Sequence, residues 1–198
     1  MTSYAEILYF WFGSDTTGVI PQERLRFWFG GDPQTDRLIR ERFSGHLAAA
    51  VGGRLDFWGK EAGGRLALIL LLDQFPRNIF RDTPRAYAYD DRALQVTLDG
   101  LEQGQDGDLS LVERAFMYMP LEHAEDRDMQ ERSVNLFEQL LKEALPEQEQ
   151  VFETFADYAR RHRDVIARFG RFPHRNKVLG RTSTPEETAF LREPGSRF

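Results

Sequence analysis

Cysteine is absent from this sequence of 198 residues, and lysine occurs only three times against 23 arginines. Without cysteine there is no disulfide, no thiolate zinc site and no cysteine nucleophile. The longest run of apolar residues, 66–72, is far shorter than the roughly 20 that span a bilayer. We therefore predict a cytoplasmic protein that does not insert into membranes.

Several short catalytic and cofactor motifs are also missing. The sequence contains no phosphate-binding glycine-rich loop, no dinucleotide fingerprint, no GxSxG turn and no HExxH pair. We accordingly predict no cofactor. The net charge of −6 argues against a general nucleic-acid binder, because such proteins attract phosphates with a basic surface.

Strand signals are lacking as well, because no stretch alternates apolar and polar residues between hairpin turns. Apolar residues instead recur at spacings of three and four, most clearly over 147–169. The length suits one domain, residues 1–198, that buries roughly 70% of its unfolded surface. We predict an all-α fold, either an antiparallel helix bundle or a stack of helical pairs.

Caps and prolines predict where individual helices begin and end. Pro76 and Pro120 are expected to end helices, and Thr83 with Pro84 to open one that runs to Gly104. Three pairs have the spacing of a capping box: Ser3 and Glu6, Ser110 and Glu113, and Thr184 and Glu187.

The string DQFPRN at 73–78 places Asp73 and Gln74 on the last turn of a predicted buried helix, with Arg77 and Asn78 just beyond it. A carboxylate there opposes the helix dipole, and its burial is costly without a cation. We therefore expect an arginine partner for Asp73. In the purely structural interpretation Arg77 satisfies Asp73 and the last carbonyls, while Asn78 makes the turn.

A similar string, RFGRFPHRN at 168–176, follows the strongest predicted helix. Gly170 and Pro173 are its helix-ending residues, and Arg171, His174, Arg175 and Asn176 are its polar ones. The two strings either converge on one site or share only the chemistry of helix ends.

Charge is unevenly distributed in the second half of the chain. Residues 160–181 carry seven arginines and one lysine against a single acid, whereas 122–131 carry five acids against one arginine. These two segments either pair with each other or leave a basic site for an anionic ligand. Both are compatible with arginine, which binds carboxylate and phosphate through two parallel hydrogen bonds.

His123 lies between Glu122 and Glu125, which are expected near the start of a helix. With His162 and His174 it offers imidazoles that could ligate zinc, manganese or iron. No pair has a recognised metal-binding spacing, so no metal ligand is predicted. His162 alone is interpreted as a hydrogen-bonded core histidine.

Four strings together, LYFWFG, LLDQFPRNIFR, YMPLEHAED and RFGRFPHRNKVLGR, resemble a bacterial family catalogued only as domain of unknown function 924. The resemblance covers nearly the whole chain. It implies an all-helical, tetratricopeptide-like fold and no established activity. It marks these motif positions: Asp73, Gln74, Arg77, Asn78, Glu122, His123, Glu125, Arg171, His174, Arg175 and Asn176.

The leading functional hypothesis is a site that binds a small anionic molecule, as a hydrolase or transferase if the protein is an enzyme. His123 or His174 would move protons. Arg77, Arg171 and Arg175 would contact the anion. Asn78 and Asn176 would orient the ligand, and Glu122 or Glu125 would fix the tautomer of the histidine.

Two alternatives stay open. A tetratricopeptide-like interaction module would bind a peptide segment in a groove between helices. A metal-dependent hydrolase is the third hypothesis. The sequence indicates no oligomeric state.

Overall fold

The computed structural model describes residues 3–14, 16 and 18–196, and within these ranges the chain forms helices and no strand. The all-α prediction is confirmed. The α-helices are α1 Tyr4–Phe12, α2 Gln22–Phe29, α3 Pro33–Val51, α4 Ala62–Ile69, α5 Phe75–Ile79, α6 Asp90–Glu102, α7 Leu111–Glu122, α8 Arg127–Glu143, α9 Glu149–Phe169 and α10 Pro185–Phe190. Short 3-10 segments lie at Asp56–Lys60, Pro84–Tyr87, Gln105–Asp108 and Pro173–Arg175.

The hydrophobic core extends from α1 to α9. From Gly64 onward, α4 and the turn after it are buried on all sides, as the apolar run at 66–72 predicts. α8 and α9 pack as an antiparallel pair, and Arg127 at the start of α8 donates a hydrogen bond to the carbonyl of Ala167 near the end of α9. The tetratricopeptide-like detail of the packing stays a prediction.

Two of the three predicted capping boxes form as expected, at Ser110 and at Thr184. Ser3 caps α1 through the N–H of Ala5, but Glu6 pairs with Arg42 instead of completing the box. Across the described part of the chain, no helix has the length and apolar character needed to cross a membrane.

The prediction that Pro76 ends the central helix is wrong. A π-helical turn, Leu70–Gln74, joins α4 to α5, so the helix continues from 62 to 79. In this wider turn the N–H of Phe75 reaches the carbonyl of Leu70. Arg77 Nη1 donates to the carbonyl of Asp73 at 2.7 Å. The Arg77 side chain thus supports the backbone at the junction of the π-helical turn and α5.

Pro120 does not end its helix either, because α7 continues to Glu122. Gln130 Nε2 donates to the carbonyls of Leu121, Glu122 and Ala124, which supports the last turn beyond the proline.

The helix predicted to open at Thr83 and Pro84 is split into the 3-10 segment Pro84–Tyr87 and α6, which begins at Asp90. The Thr83 hydroxyl donates to the carbonyl of Phe80 instead of capping the following residues. The chain consequently turns once more before α6, and this extra turn forms one wall of the pocket described below.

Candidate functional site

The π-helical turn places Asp73 inside the protein, where its side chain is fully buried. His123 Nδ1 lies 2.7 Å from Asp73 Oδ1 and Gln74 Nε2 donates to Oδ2 at 2.5 Å. Arg77 Nη1 pairs with Oδ1 at 3.1 Å. The expected arginine partner of Asp73 is therefore present, and Gln74 belongs to the same cluster.

Arg77 extends this cluster to Asp90 through two hydrogen bonds of 2.9 and 3.0 Å. Asp90 Oδ2 in turn accepts a hydrogen bond from Arg175 Nη1 at 3.3 Å. The result is a continuous chain of polar contacts from His123 through Asp73, Arg77 and Asp90 to Arg175. The two similar strings of the sequence therefore converge on Asp90 through one arginine each.

Both ends of this polar chain, His123 and Arg175, line one pocket of about 250 Å³. We call it the His123 pocket. Its other polar walls come from Tyr87, Asp90, Asp91 and Glu125, and its apolar walls from Pro84, Ala88, Leu94, Pro120, Ala124 and Leu179.

Charge and burial set the protonation states at the His123 end. Burial raises the pKa of Asp73, but Arg77, His123 and Gln74 together outweigh that effect and hold it well below its usual range. Burial, with Arg77 close by, lowers the pKa of His123 although Asp73 opposes the shift. The pair is therefore a carboxylate and a neutral imidazole at neutral pH, with the Nδ1 hydrogen directed at Asp73.

Arg175 is a buried cation with few partners. Its side chain lies between Phe172 and Tyr87, with the guanidinium carbon 4.4 Å and 4.8 Å from the ring centres. Among the described residues Nε has no hydrogen-bond partner. Burial and the charge of Arg77 lower the pKa of Arg175, which indicates that its charge is incompletely compensated.

His174, the second predicted proton-transfer residue, does not line the His123 pocket. Burial, and then the charge of Arg175, lower the pKa of His174 to about 3. It is therefore a weak base, and His123 is the better placed of the two imidazoles for proton transfer.

Glu122 does not set the tautomer of His123. Because α7 runs to Glu122, the adjacent side chains point in different directions, and Glu122 Oε1 lies 2.9 Å from His162 Nδ1. His162 Nδ1 is also 2.8 Å from the carbonyl of Tyr158. His162 is thus a hydrogen-bonded core histidine, as interpreted, and Asp73 takes the tautomer-fixing role that we assigned to Glu122 or Glu125.

Glu125 holds the segment after α9 in place and forms part of the pocket wall. Its two oxygens bind Arg181 at 2.6 and 2.9 Å, and Oε1 accepts the N–H of Phe172. Pairing of the acidic and basic segments, one of the two alternatives for this part of the chain, occurs here and between Arg163 and Glu131 at 4.0 Å.

Arg171 and Asn176 have structural partners outside the pocket. Arg171 binds Glu187 through two hydrogen bonds of 2.6 and 2.8 Å, and Asn176 Nδ2 donates to the same carboxylate. Asn176 Oδ1 accepts from Arg181. These contacts fasten α10 to the loop that carries Arg175, and neither Arg171 nor Asn176 lines the His123 pocket.

Asn78 also lies away from the pocket. It sits within α5 instead of making a turn, and its Nδ2 donates to Asp36 Oδ1 at 2.8 Å. Arg81 binds the same carboxylate. The two asparagines of the similar strings therefore do not share a role.

No three histidine or acidic side chains within 3–14, 16 and 18–196 are placed to ligate one metal ion. The metal-dependent hydrolase hypothesis gains no ligand set from this part of the chain.

Tyr87, Asp90 and Asp91 are polar pocket residues that the sequence did not reveal. Asp90 and Asp91 were expected within the helix that opens at Thr83 and Pro84, where acidic side chains give no distinct signal. Tyr87 was expected inside a regular helix rather than at a pocket wall.

Comparisons with known proteins give a family and one similar structure. The family described as "Bacterial protein of unknown function (DUF924)" matches residues 7–195. A solved structure of a protein of unknown function from Agrobacterium tumefaciens is 38% identical to the chain, with a TM-score of 0.81, and the match covers 95% of this chain and 96% of that one. No curated protein matches the chain.

Proposed function

The chain belongs to the bacterial DUF924 family, and from the geometry of the His123 pocket we propose that it binds a small anionic molecule and transfers a proton to or from it. One observation carries the proposal. A partly buried base, His123, and a buried cation, Arg175, line the same pocket and are joined by one chain of polar contacts.

His123 supplies the proton acceptor. Asp73 accepts the Nδ1 hydrogen, which leaves the lone pair on Nε2, and the His123 side chain is 15% exposed. A carboxylate that orients an imidazole in this way fixes its tautomer and stabilises the imidazolium that forms on proton transfer. Because the pKa of His123 is lowered, the imidazole is already unprotonated at neutral pH.

Arg175 supplies the anion contact. Arg77 is occupied by Asp73 and Asp90, whereas within the described part of the chain the acidic contact of Arg175 is a single hydrogen bond of 3.3 Å to Asp90. A buried cation that lacks full compensation gains from an anionic ligand, and a guanidinium can give two hydrogen bonds to one carboxylate or phosphate. Of the three arginines predicted as anion contacts, the geometry favours this one.

The walls of the pocket restrict the ligand. A volume of about 250 Å³ lies just below the usual range for drug-sized ligands, so a metabolite of a few heavy atoms fits. Asp91 and Glu125 line the pocket beside Arg175 and disfavour multiply charged anions. We therefore propose a ligand with one acidic group and a short apolar body, and hydrolysis or group transfer as the class of reaction.

The test is a titration of the protein with acetate, butyrate and inorganic phosphate. Binding is measured by calorimetry and by the NMR signals of the His123 imidazole nitrogens. We expect at least one anion to bind and to shift the His123 signals. Arg175→Gln should lower the affinity about tenfold or more, because a charged hydrogen bond is lost, and Arg175→Lys should lower it less.

Arg192→Gln is the matched control, since Arg192 is exposed and lies in the segment after α10. Equal binding by the wild type and Arg175→Gln would refute the anion contact. Binding without any change at His123 would refute the proton-transfer role and leave only a binding site.

A further inference from the structure

A second cleft lies between α3 and residues 79–89 and has a volume of about 690 Å³, against about 250 Å³ for the His123 pocket. Its floor is apolar and includes Leu47, Val51, Ile79, Phe80 and Tyr89. Arginines 40, 81 and 85 line it, and no acidic side chain does. We call it the arginine cleft.

Each of these arginines is held in position. Arg40 Nη2 donates to the carbonyl of Ile79 at 2.6 Å. The guanidinium of Arg85 lies 3.8 Å from the centre of the Phe80 ring. Arg81 binds both oxygens of Asp36. A ligand would therefore meet cations that are already ordered and would lose little entropy in ordering them.

The charge of the cleft is only partly balanced. Asp36 compensates Arg81, but neither Arg40 nor Arg85 forms an ion pair with the described residues. Two exposed positive charges consequently border an apolar floor in a protein whose net charge is −6. Such a surface is complementary to acidic side chains that flank apolar ones.

We propose that the arginine cleft binds a segment of another protein that presents apolar and acidic side chains together. A small amphiphile is the less suitable occupant, because ligand sites normally bury most of a small molecule and the arginines here are exposed. A protein segment can cover the floor with its apolar side chains and reach Arg40 and Arg85 with its acids.

The arginine cleft shares a wall with the His123 pocket. Pro84, Tyr87 and Ala88 line the pocket, whereas Arg85 and Tyr89 of the same stretch line the cleft. A bound segment therefore contacts the back of the pocket wall, although the proposal does not depend on the function of that pocket.

The experiment uses three fluorescent peptides of about 15 residues, a length at which isolated helices become marginally stable. One is an amphipathic sequence of leucine and glutamate, one replaces glutamate with lysine, and one scrambles the first so that no apolar face forms. Binding to the full chain is measured by anisotropy. We expect only the amphipathic glutamate peptide to bind, and to bind more weakly as salt is raised.

The variant Arg40→Glu with Arg85→Glu should weaken this binding about tenfold or more, because two favourable contacts become repulsive. Arg132→Glu with Arg192→Glu carries the same net charge at exposed positions elsewhere and should bind like the wild type. The neutral pair Arg40→Gln with Arg85→Gln should be intermediate, and it keeps the test valid if the double glutamate variant unfolds.

Three results would overturn the proposal. They are failure of the glutamate peptide to bind, equal binding by the lysine peptide, and unchanged binding by both the glutamate and the glutamine variants. If the first of these results is found, sodium decanoate that shifts the NMR signals of Phe80 and Tyr89 would identify a small amphiphile as the occupant instead.

Discussion

Arg77 and Asp90 meet through two parallel hydrogen bonds, Nη1 to Oδ1 at 2.9 Å and Nη2 to Oδ2 at 3.0 Å. The same guanidinium pairs with Asp73 Oδ1 at 3.1 Å and donates to the Asp73 carbonyl at 2.7 Å. One cation thus serves two carboxylates, of which Asp73 is fully buried, together with a backbone group inside the helix.

Arg77→Ala should therefore be strongly destabilising, because it leaves the Asp73 carboxylate buried without a cation. We expect the free energy of unfolding to fall by about 3–5 kcal/mol, measured by urea unfolding at neutral pH. Adding Asp73→Asn to Arg77→Ala should recover part of this loss, since the uncompensated charge is then removed. A loss of less than about 1 kcal/mol for Arg77→Ala would show that Gln74 and His123 suffice for Asp73.

Stability should fall as the solution is acidified from near-neutral pH. Burial, then the charge of Arg175, lower the pKa of His174 to about 3, whereas in the unfolded chain it titrates near 6.5. The unfolded state therefore takes up the proton first. The stabilisation from neutral His174 is complete above about pH 6.5 and is lost as the pH falls towards 3. The lowered pKa of His123 acts in the same direction.

Urea unfolding between about pH 7 and pH 5 checks this prediction, since most carboxylates stay ionised in that range. His174→Gln should make the free energy of unfolding less dependent on pH. An unchanged slope would mean that folded His174 titrates as it does in the unfolded chain.

Two glycines within helices should respond oppositely to alanine. A Cβ at Gly100 would lie 2.4 Å from Arg65 Cδ and 2.5 Å from Met117 Cε, so Gly100→Ala should lower the free energy of unfolding by about 1–3 kcal/mol. A Cβ at Gly45 meets nothing within 4 Å. Gly45→Ala should stabilise the protein by up to about 1 kcal/mol, because alanine is the better helix former. Stabilisation by both substitutions would contradict the close packing of α6 against α4 and α7.

Local sequence rules predicted the helices well where no other part of the chain intervenes. The periodic stretch 147–169 forms α9, and the caps at Ser110 and Thr184 form as expected. The rules failed at Pro76 and Pro120, where the helix continues past the proline and a side chain donates to backbone carbonyls close to it. Arg77 does this for α5 and Gln130 for α7.

The site was predictable only where a buried charge required a partner of opposite charge. A buried acid at a predicted helix end required a cation, and Arg77 supplies it. The partner of His123 was not predictable, because Asp73 lies 50 positions away and neighbouring Glu122 was the simpler choice. The similar strings misled for Asn78 and Asn176, whose surroundings depend on Asp36 and Glu187 and not on the strings themselves.

The π-helical turn at Leu70–Gln74 contains one residue more than an α-helix would use. Deletion of any one residue in this turn would allow a regular helix. The helix before the deletion would then be rotated by about 100° and shifted by about 1.5 Å relative to the helix after it. Asp73 and Arg77 would then no longer face His123 and Asp90 together. The helix therefore tolerates substitutions in this turn far better than insertions or deletions, and the number of residues between Leu70 and Arg77 matters as much as their identity.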